Sequence, residues 1–316
     1  MGDRGRCVVV CTVRVGPHHE AMIRAVDPRV ELRVVSRSES PDHASEAEVW
    51  VGWDLPDGVV ERARRLRWVH STAAGVDQLL PKILGRGILL TNSRGIHAIP
   101  MAEHVLGCLL VFARNLHVAF RHQVHRRWEA EPGGELWGAT VGILGLGSIG
   151  REVARRCRAF GARVVGLRRN PAPVPEVEEV YGPEGLQEVL RSADYVVLTL
   201  PLTPQTRGLL GARELGWMKP EAVLVNVGRG AVVDERALVE ALRSGRIRGA
   251  ALDVFETEPL PPEHPLWDLP NVLITPHISG NSPRYMDRAI PLFCDNLRRY
   301  LRGEGLRNIV DPERGY

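Results

Sequence analysis

Residues 140–150 read T-V-G-I-L-G-L-G-S-I-G, an apolar run that passes directly into glycines at 145, 147 and 150. The next ten residues, R-E-V-A-R-R-C-R-A-F, mix charged and apolar positions at helical spacing, and R-V-V-G-L (163–167) is apolar again. Strand, glycine turn, helix and strand in that order predict a βαβ unit of a parallel sheet. The three glycines have separate steric tasks. Gly145 permits the tight turn, Gly147 lets the backbone approach a pyrophosphate, and Gly150 lets the helix lie close to the sheet. Ser148 and Ile149 fill the turn between the last two, where the first helical N–H groups and the positive end of the helix dipole face the phosphates. With a strand before it and a helix after it, the pattern points to dinucleotide binding.

The end of the second strand bears on which dinucleotide. An NAD site carries an acid about 20 residues past the motif, accepting from the ribose hydroxyls. Here the strand runs into Arg168, Arg169 and Asn170, with no acid. Paired guanidinium N–H donors suit the 2′-phosphate of NADP, so NADP is expected over NAD, with NAD still possible.

Outward from this unit the alternation continues. Strands are expected at 195–199, 222–225, 249–252 and 272–275, and in the N-terminal part at 7–13, 31–35, 49–52, 68–70 and 89–92. Residues 61–67 read as a short amphipathic helix. Residues 101 to about 127 hold no proline and recur apolar at three- and four-residue spacing, which predicts one long helix, with Pro100 near its start. Residues 283–301 have helical periodicity and are expected to pack back on the N-terminal part. The fold class expected is α/β, with two Rossmann-like, doubly wound parallel-sheet domains, one inserted in the other. Residues 1–98 with 284–316 would form a substrate-binding, flavodoxin-like domain, and 99–283 the dinucleotide-binding domain.

Composition narrows the class. The chain has 316 residues, 44% hydrophobic and 25% charged, enough for two cored domains. Net charge is +3, too small to imply a nucleic-acid partner, and no apolar run approaches the length of a membrane span. Cys7, Cys11, Cys108, Cys157 and Cys294 are scattered without a CxxC pair, so neither a zinc site nor a disulfide framework is expected, and no metal. The expected setting is cytoplasmic.

Three more segments each follow an expected strand: N-V-G-R-G-A-V-V-D (226–234), D-V-F-E-T-E-P-L (253–260) and T-P-H-I-S-G (275–280). Loops at the carboxyl ends of parallel strands gather at one edge, so Arg229, Glu258 and His277 are expected near the dinucleotide. Reduction of a 2-keto acid needs a proton donor for the developing alkoxide and a cation for the carboxylate. His277 suits the first task, with Glu258 orienting its ring and stabilising the imidazolium, and Arg229 suits the second. Trp50 and Trp53 stand near a possible substrate mouth, with core packing the better reading for Trp50.

With S-T-A-A-G-V-D-Q-L (71–79), M-A-E-H-V-L-G (101–107) and V-V-L-T-L-P-L-T-P-Q-T-R-G-L-L (196–210), the chain resembles the D-isomer-specific 2-hydroxyacid dehydrogenase family from about Trp68 to Leu301. The resemblance implies a homodimer built on the inserted domain, catalysis by Arg229, Glu258 and His277, and a small 2-keto or 2-hydroxy acid as substrate. It implies that backbone N–H groups near Ala74 and Gly75 take the substrate carboxylate. Leu200, Pro201 and Thr206 match the family's wall and phosphate-side contacts to the cofactor; Val227, Asp253, Ser279 and Gly280 match positions around the nicotinamide and its ribose. The segment G-N-S-P-R-Y (280–285) is more similar to the family's NADP-linked ketoacid reductases than to its glyoxylate reductases. Glu258 counts against formate dehydrogenase, which pairs its histidine with glutamine. A phosphoglycerate dehydrogenase-type enzyme and a dinucleotide-sensing, corepressor-like binding protein are the alternatives.

Overall fold

The computed structural model describes residues 5–76 and 78–312; residues 1–4 and 313–316, at the ends of the expected first domain, and Asp77 of the 71–79 segment lie outside the described residues. The chain divides into two compact units, Met1–Ile96 with Ser282–Tyr316, and His97–Asn281.

The first unit opens with β1 (Cys7–Cys11), α1 (Pro17–Arg24), β2 (Val30–Val34), β3 (Val49–Gly52), α2 (Val59–Arg62), β4 (Trp68–Ser71), α3 (Leu80–Ile83) and β5 (Leu89–Asn92). Its five strands are parallel in the order β2-β1-β3-β4-β5. Residues of β1, β3 and β4 are buried throughout, which is why β1 and β3 read as unbroken apolar runs rather than alternating ones, while β4 buries the polar His70 and Ser71 as well. The strand order reverses between β1 and β3. The loops after β1 and β3 therefore flank a topological switch point, the place where open α/β sheets bind ligands, and the loop after β4 leaves the same carboxyl edge one strand further on. Trp53 follows β3 there, while Trp50 is fully buried within the core. The helix expected over 61–67 is only α2, four residues long. Ala63 leaves helical geometry at ψ 63, because the chain must turn to pair Arg67 N–H with Glu48 O (2.9 Å) and start β4.

The second unit contains α4 (Ala98–Ala113), α5 (Leu116–Val124), β6 (Thr140–Leu144), α6 (Ser148–Ala159), β7 (Arg163–Leu167), β8 (Glu179–Tyr181), α7 (Leu186–Ser192), β9 (Tyr195–Leu198), α8 (Ala212–Leu215), β10 (Val223–Asn226), α9 (Glu235–Arg243), β11 (Gly249–Leu252) and β12 (Val272–Ile274). Its seven parallel strands run β12-β11-β10-β9-β6-β7-β8, with the reversal between β6 and β9. The single long helix expected from residue 101 is two, α4 and α5, bent by 72°. Asn115 supplies the break in the left-handed region at φ 52, a conformation asparagine tolerates. Arg248 caps the broken end, donating from Nη2 to Phe112 O and Asn115 Oδ1, both at 2.7 Å. Ala102, Val105, Leu109 and Phe112 of α4 are buried against α6 and β10, whereas α5 buries none of its residues. No single helix among the described residues is long and apolar enough to cross a membrane.

The chain then returns to the first unit as α10 (Tyr285–Arg302), whose Ile290, Phe293 and Leu297 are buried with β1, β3 and α1 residues. His19 accepts the Gly16 N–H at Nδ1 (3.3 Å), so its Nε2 carries the proton and donates to Asp287 of α10 (3.0 Å).

Candidate functional site

The glycine turn of the second unit leaves β6 at the point of strand reversal. Gly145 adopts φ 111, and a Cβ there would stand 3.0 Å from Thr199 Oγ1, whose hydroxyl donates to Gly145 O (2.6 Å). At Gly150 a Cβ would fall 2.1 Å from Gly145 O, so helix α6 meets the turn only because this residue has no side chain. Gly147 differs from both. Its φ of −81 is ordinary, and a Cβ would meet nothing within 4 Å. Neither backbone nor neighbours require glycine there, and the open space lies over the first N–H groups of α6, at Ser148, Ile149 and Gly150. That cradle fits a pyrophosphate.

Around it stand the other strand ends. Arg168 and Arg169 follow β7 at once; Arg168 is half-buried with its N–H bonded to Tyr181 O of β8 (3.0 Å), and Arg169 is exposed. After β9, Leu200 is half-buried and Pro201 exposed. Thr206 closes this loop on itself, donating to Pro201 O (2.7 Å) and accepting the Thr203 N–H (2.8 Å). Val227 after β10 is buried, its N–H on Leu198 O (3.2 Å).

Asn226 shapes the turn that carries Arg229. It accepts the Gly228 N–H at Oδ1 (3.0 Å) and donates from Nδ2 to Arg229 O (3.1 Å). The half-buried Arg229 donates from Nη1 to Gly228 O (2.8 Å). At Gly230 a Cβ would sit 1.9 Å from Phe255 C, so the turn after β10 lies directly on the loop after β11.

That second loop bears Glu258. One oxygen, Oε1, accepts the Phe255 N–H (3.0 Å), and the other, Oε2, lies 2.7 Å from His277 Nδ1. Anchored by its own backbone, the carboxylate accepts a hydrogen bond from Nδ1–H and leaves Nε2 as the ring's second, outward nitrogen; half of the His277 side chain is exposed, at 52%.

His277 stands in the left-handed region at φ 53, an unfavourable conformation for a residue with a Cβ. Asp253 holds it there. This residue is 1% exposed, and its carboxylate accepts the Thr275 hydroxyl (2.6 Å) and the N–H groups of Ile278 and Ser279 (2.9 Å each). Its own carbonyl accepts the His277 N–H (2.9 Å). Because Thr275 donates to Asp253, it accepts from His104 Nε2 (3.3 Å), whose pKa burial pushes down. Ser279 is buried, and Gly280 lies against the His97 ring. Asn226, Thr275 and His104 were not among the residues singled out from sequence. Asn226 and Thr275 lie inside the quoted strand-end segments, a signal that could have found them.

In the first unit, Ala74 and Gly75 are half-buried in the loop after β4, at the carboxyl edge of that unit's sheet.

A glycine-cradled helix N-terminus and a carboxylate-oriented imidazole at the carboxyl edge of one parallel sheet are the parts of a dinucleotide-dependent α/β oxidoreductase. Residues 106–279 match the family model of the D-isomer specific 2-hydroxyacid dehydrogenase NAD binding domain. The D-3-phosphoglycerate dehydrogenase of Methanocaldococcus jannaschii is 35% identical over 307 residues, 93% of this chain but only 58% of that protein's length. The glyoxylate reductase of Korarchaeum cryptofilum is 38% identical over 267 residues, 81% of this chain and 79% of that one. The crystal structure of a D-isomer specific 2-hydroxyacid dehydrogenase from Xanthobacter autotrophicus Py2 in complex with NADPH and MES superposes with a TM-score of 0.87 at 36% identity, covering 99% of this chain and 100% of that one. The chain belongs to the D-isomer specific 2-hydroxyacid dehydrogenase family.

Proposed function

We propose that the protein is an NADPH-preferring reductase that converts short 2-keto acids to D-2-hydroxy acids, with residues 97–281 binding the dinucleotide and the first unit binding the substrate carboxylate. The observation that carries this reading is the 2.7 Å contact between His277 Nδ1 and Glu258 Oε2 at the sheet edge where the glycine turn also opens. NADPH, when bound, supplies the hydride. His277 holds a proton on Nε2 and gives it to the carbonyl oxygen as charge develops, and Glu258 fixes the ring and stabilises its cationic form. Arg229 offers paired N–H donors to the carboxylate or carbonyl oxygen, and the N–H groups of Ala74 and Gly75 receive the carboxylate.

For the cofactor, Gly145, Gly147, Ser148, Ile149 and Gly150 cradle the pyrophosphate. Arg168 and Arg169 take the 2′-phosphate, which agrees with the NADPH in the Xanthobacter relative. Leu200, Pro201 and Thr206 wall the dinucleotide, and Val227, Asp253, Ser279 and Gly280 surround its nicotinamide end. The second unit pairs with a second copy through α5, where Leu116, Phe120 and Val124 stand exposed at four-residue spacing.

The test is oxidation of NADPH and NADH against glyoxylate, hydroxypyruvate and larger 2-keto acids, with 3-phosphoglycerate run in reverse because of the Methanocaldococcus relative. Turnover of keto acids with NADPH at least about tenfold better in kcat/KM than with NADH is expected, the discrimination one charge-assisted pair provides. No turnover of any acid with either dinucleotide would overturn the reading in favour of a dinucleotide sensor.

A further inference from the structure

The loop after β4 is built around its carbonyls. Thr72 O accepts the Tyr285 hydroxyl (2.6 Å), Ala73 O accepts the Ser93 N–H (2.9 Å), and Ala74 O accepts Asn92 Nδ2 (2.8 Å). In a trans peptide the N–H of the next residue points opposite to the carbonyl. Each tether therefore also aims a donor. Tying down Ala73 O and Ala74 O turns the N–H groups of Ala74 and Gly75 away from the core, and among the described residues neither has an acceptor within the protein. The preceding plane is set by Tyr285. With Thr72 O held, the Ala73 N–H lies on Ser71 Oγ (3.2 Å) while the Thr72 N–H reaches Gly52 O (2.9 Å).

Two side chains complete what the Ser93 backbone N–H begins. Asn92 ends β5, is 2% exposed, and is locked by the Arg94 N–H on its Oδ1 (3.2 Å). Tyr285 comes from the first residue of α10, far along the chain, and its ring packs on Trp53 at 5.0 Å between centroids. Burial pushes the Tyr285 pKa up, so its hydroxyl remains a donor across the working pH range. Thr72 is fully buried, so water cannot replace that hydroxyl on its carbonyl.

We propose that Asn92 and Tyr285 are positioning residues for a substrate-carboxylate receptor made of the Ala74 and Gly75 N–H groups: Asn92 clamps the Ala74 carbonyl inward and so aims the Gly75 N–H beside that of Ala74, and Tyr285 fixes the Thr72–Ala73 peptide plane from which this loop turns. The inference rests on the functional reading above. It adds that carboxylate affinity in this enzyme is set by a clamp whose parts never touch the substrate.

Tyr285→Phe removes only the hydroxyl and keeps the ring on Trp53. The KM for glyoxylate and for pyruvate is expected to rise about tenfold, and by the same factor for both, because the clamp serves the group they share. The kcat changes by less than about twofold, and NADPH affinity is unchanged. Hydrogen exchange in peptides covering residues 72–75 of the substrate-free protein accelerates about tenfold, the same loss read at the bonded amides. Asn92→Ala gives the same signature. Unchanged KM, unchanged exchange, or parallel losses of kcat and NADPH affinity would each overturn the clamp. Should the unaltered protein reduce no keto acid, the functional reading fails by itself, and exchange at 72–75 in Tyr285→Phe still decides whether the clamp exists.

Discussion

His70 makes acid stability a measurable property of one buried ring. It lies in β4, is 0% exposed, and has Thr91 Oγ1 at 2.7 Å from Nδ1 and Ser93 Oγ at 3.2 Å from Nε2. The protons are assigned by the neighbours. Ser93 donates to Ser71 O (3.0 Å) and so accepts from Nε2, which leaves Nδ1 without a proton to accept the hydroxyl of Thr91, whose Oγ1 in turn accepts Trp68 Nε1–H (2.8 Å). A second ring proton, on Nδ1, would break the bond that the Thr91 hydroxyl donates there and place a charge in a fully buried site. Burial pushes the His70 pKa down from 6.5 to about 3. The folded value lies below the unfolded one, so between them only the unfolded chain binds the proton. Stability is complete above about pH 6.5 and falls as pH drops towards 3. At about pH 5 the unfolded ring is protonated about 30 to 1, which costs the fold about 2 kcal/mol relative to neutral pH. Urea unfolding of the unaltered protein and of His70→Gln at about pH 7.5 and about pH 5 measures this directly, since other titrating groups cancel in the difference. The unaltered protein should lose about 2 kcal/mol more than the variant between the two pH values. Equal losses would show that the ring takes its second proton without penalty and would refute the assignment.

Asp253→Ala strands the Thr275 hydroxyl and two backbone N–H groups and leaves the left-handed His277 unsupported, so kcat should drop about ten- to a hundredfold with a lower Tm; an unchanged kcat would contradict the positioning. Arg168→Ala with Arg169→Ala should weaken NADPH about a hundredfold and NADH hardly at all, read as the ratio of dissociation constants. Gly230→Ala would drive a methyl into the Phe255 backbone, which cannot yield as a side chain does, so a loss of about 2 kcal/mol or more is expected in thermal unfolding.

The parallel α/β architecture was legible because strands buried on both faces leave unbroken apolar runs, and β3, β5, β6, β7 and β11 fall on the residues those runs mark. Breaks set by a single backbone conformation were not. Asn115 ends α4 by taking φ 52 and relies on Arg248, a residue from another part of the unit. The three-residue edge strand β8, Glu179–Tyr181, is too short and too polar to leave a period. At the candidate site, strand-end position marked the loops that carry Arg229, Glu258 and His277, of which Glu258 and His277 lie 2.7 Å apart. What holds them is spread across the chain as amide-to-carbonyl and carboxylate-to-amide bonds, such as Asn226 to Arg229 and Asp253 to Ser279, and these follow no spacing rule.

The most direct measurement on the central claim is turnover and NADPH binding by His277→Ala, assayed with the keto acid the unaltered enzyme reduces best. The account predicts a kcat about a hundred- to ten-thousandfold lower, with the NADPH dissociation constant unchanged, because the imidazole acts only as charge develops on the carbonyl oxygen. A kcat within about threefold of the unaltered enzyme would mean that another group delivers the proton, and the His277–Glu258 pair would lose its role.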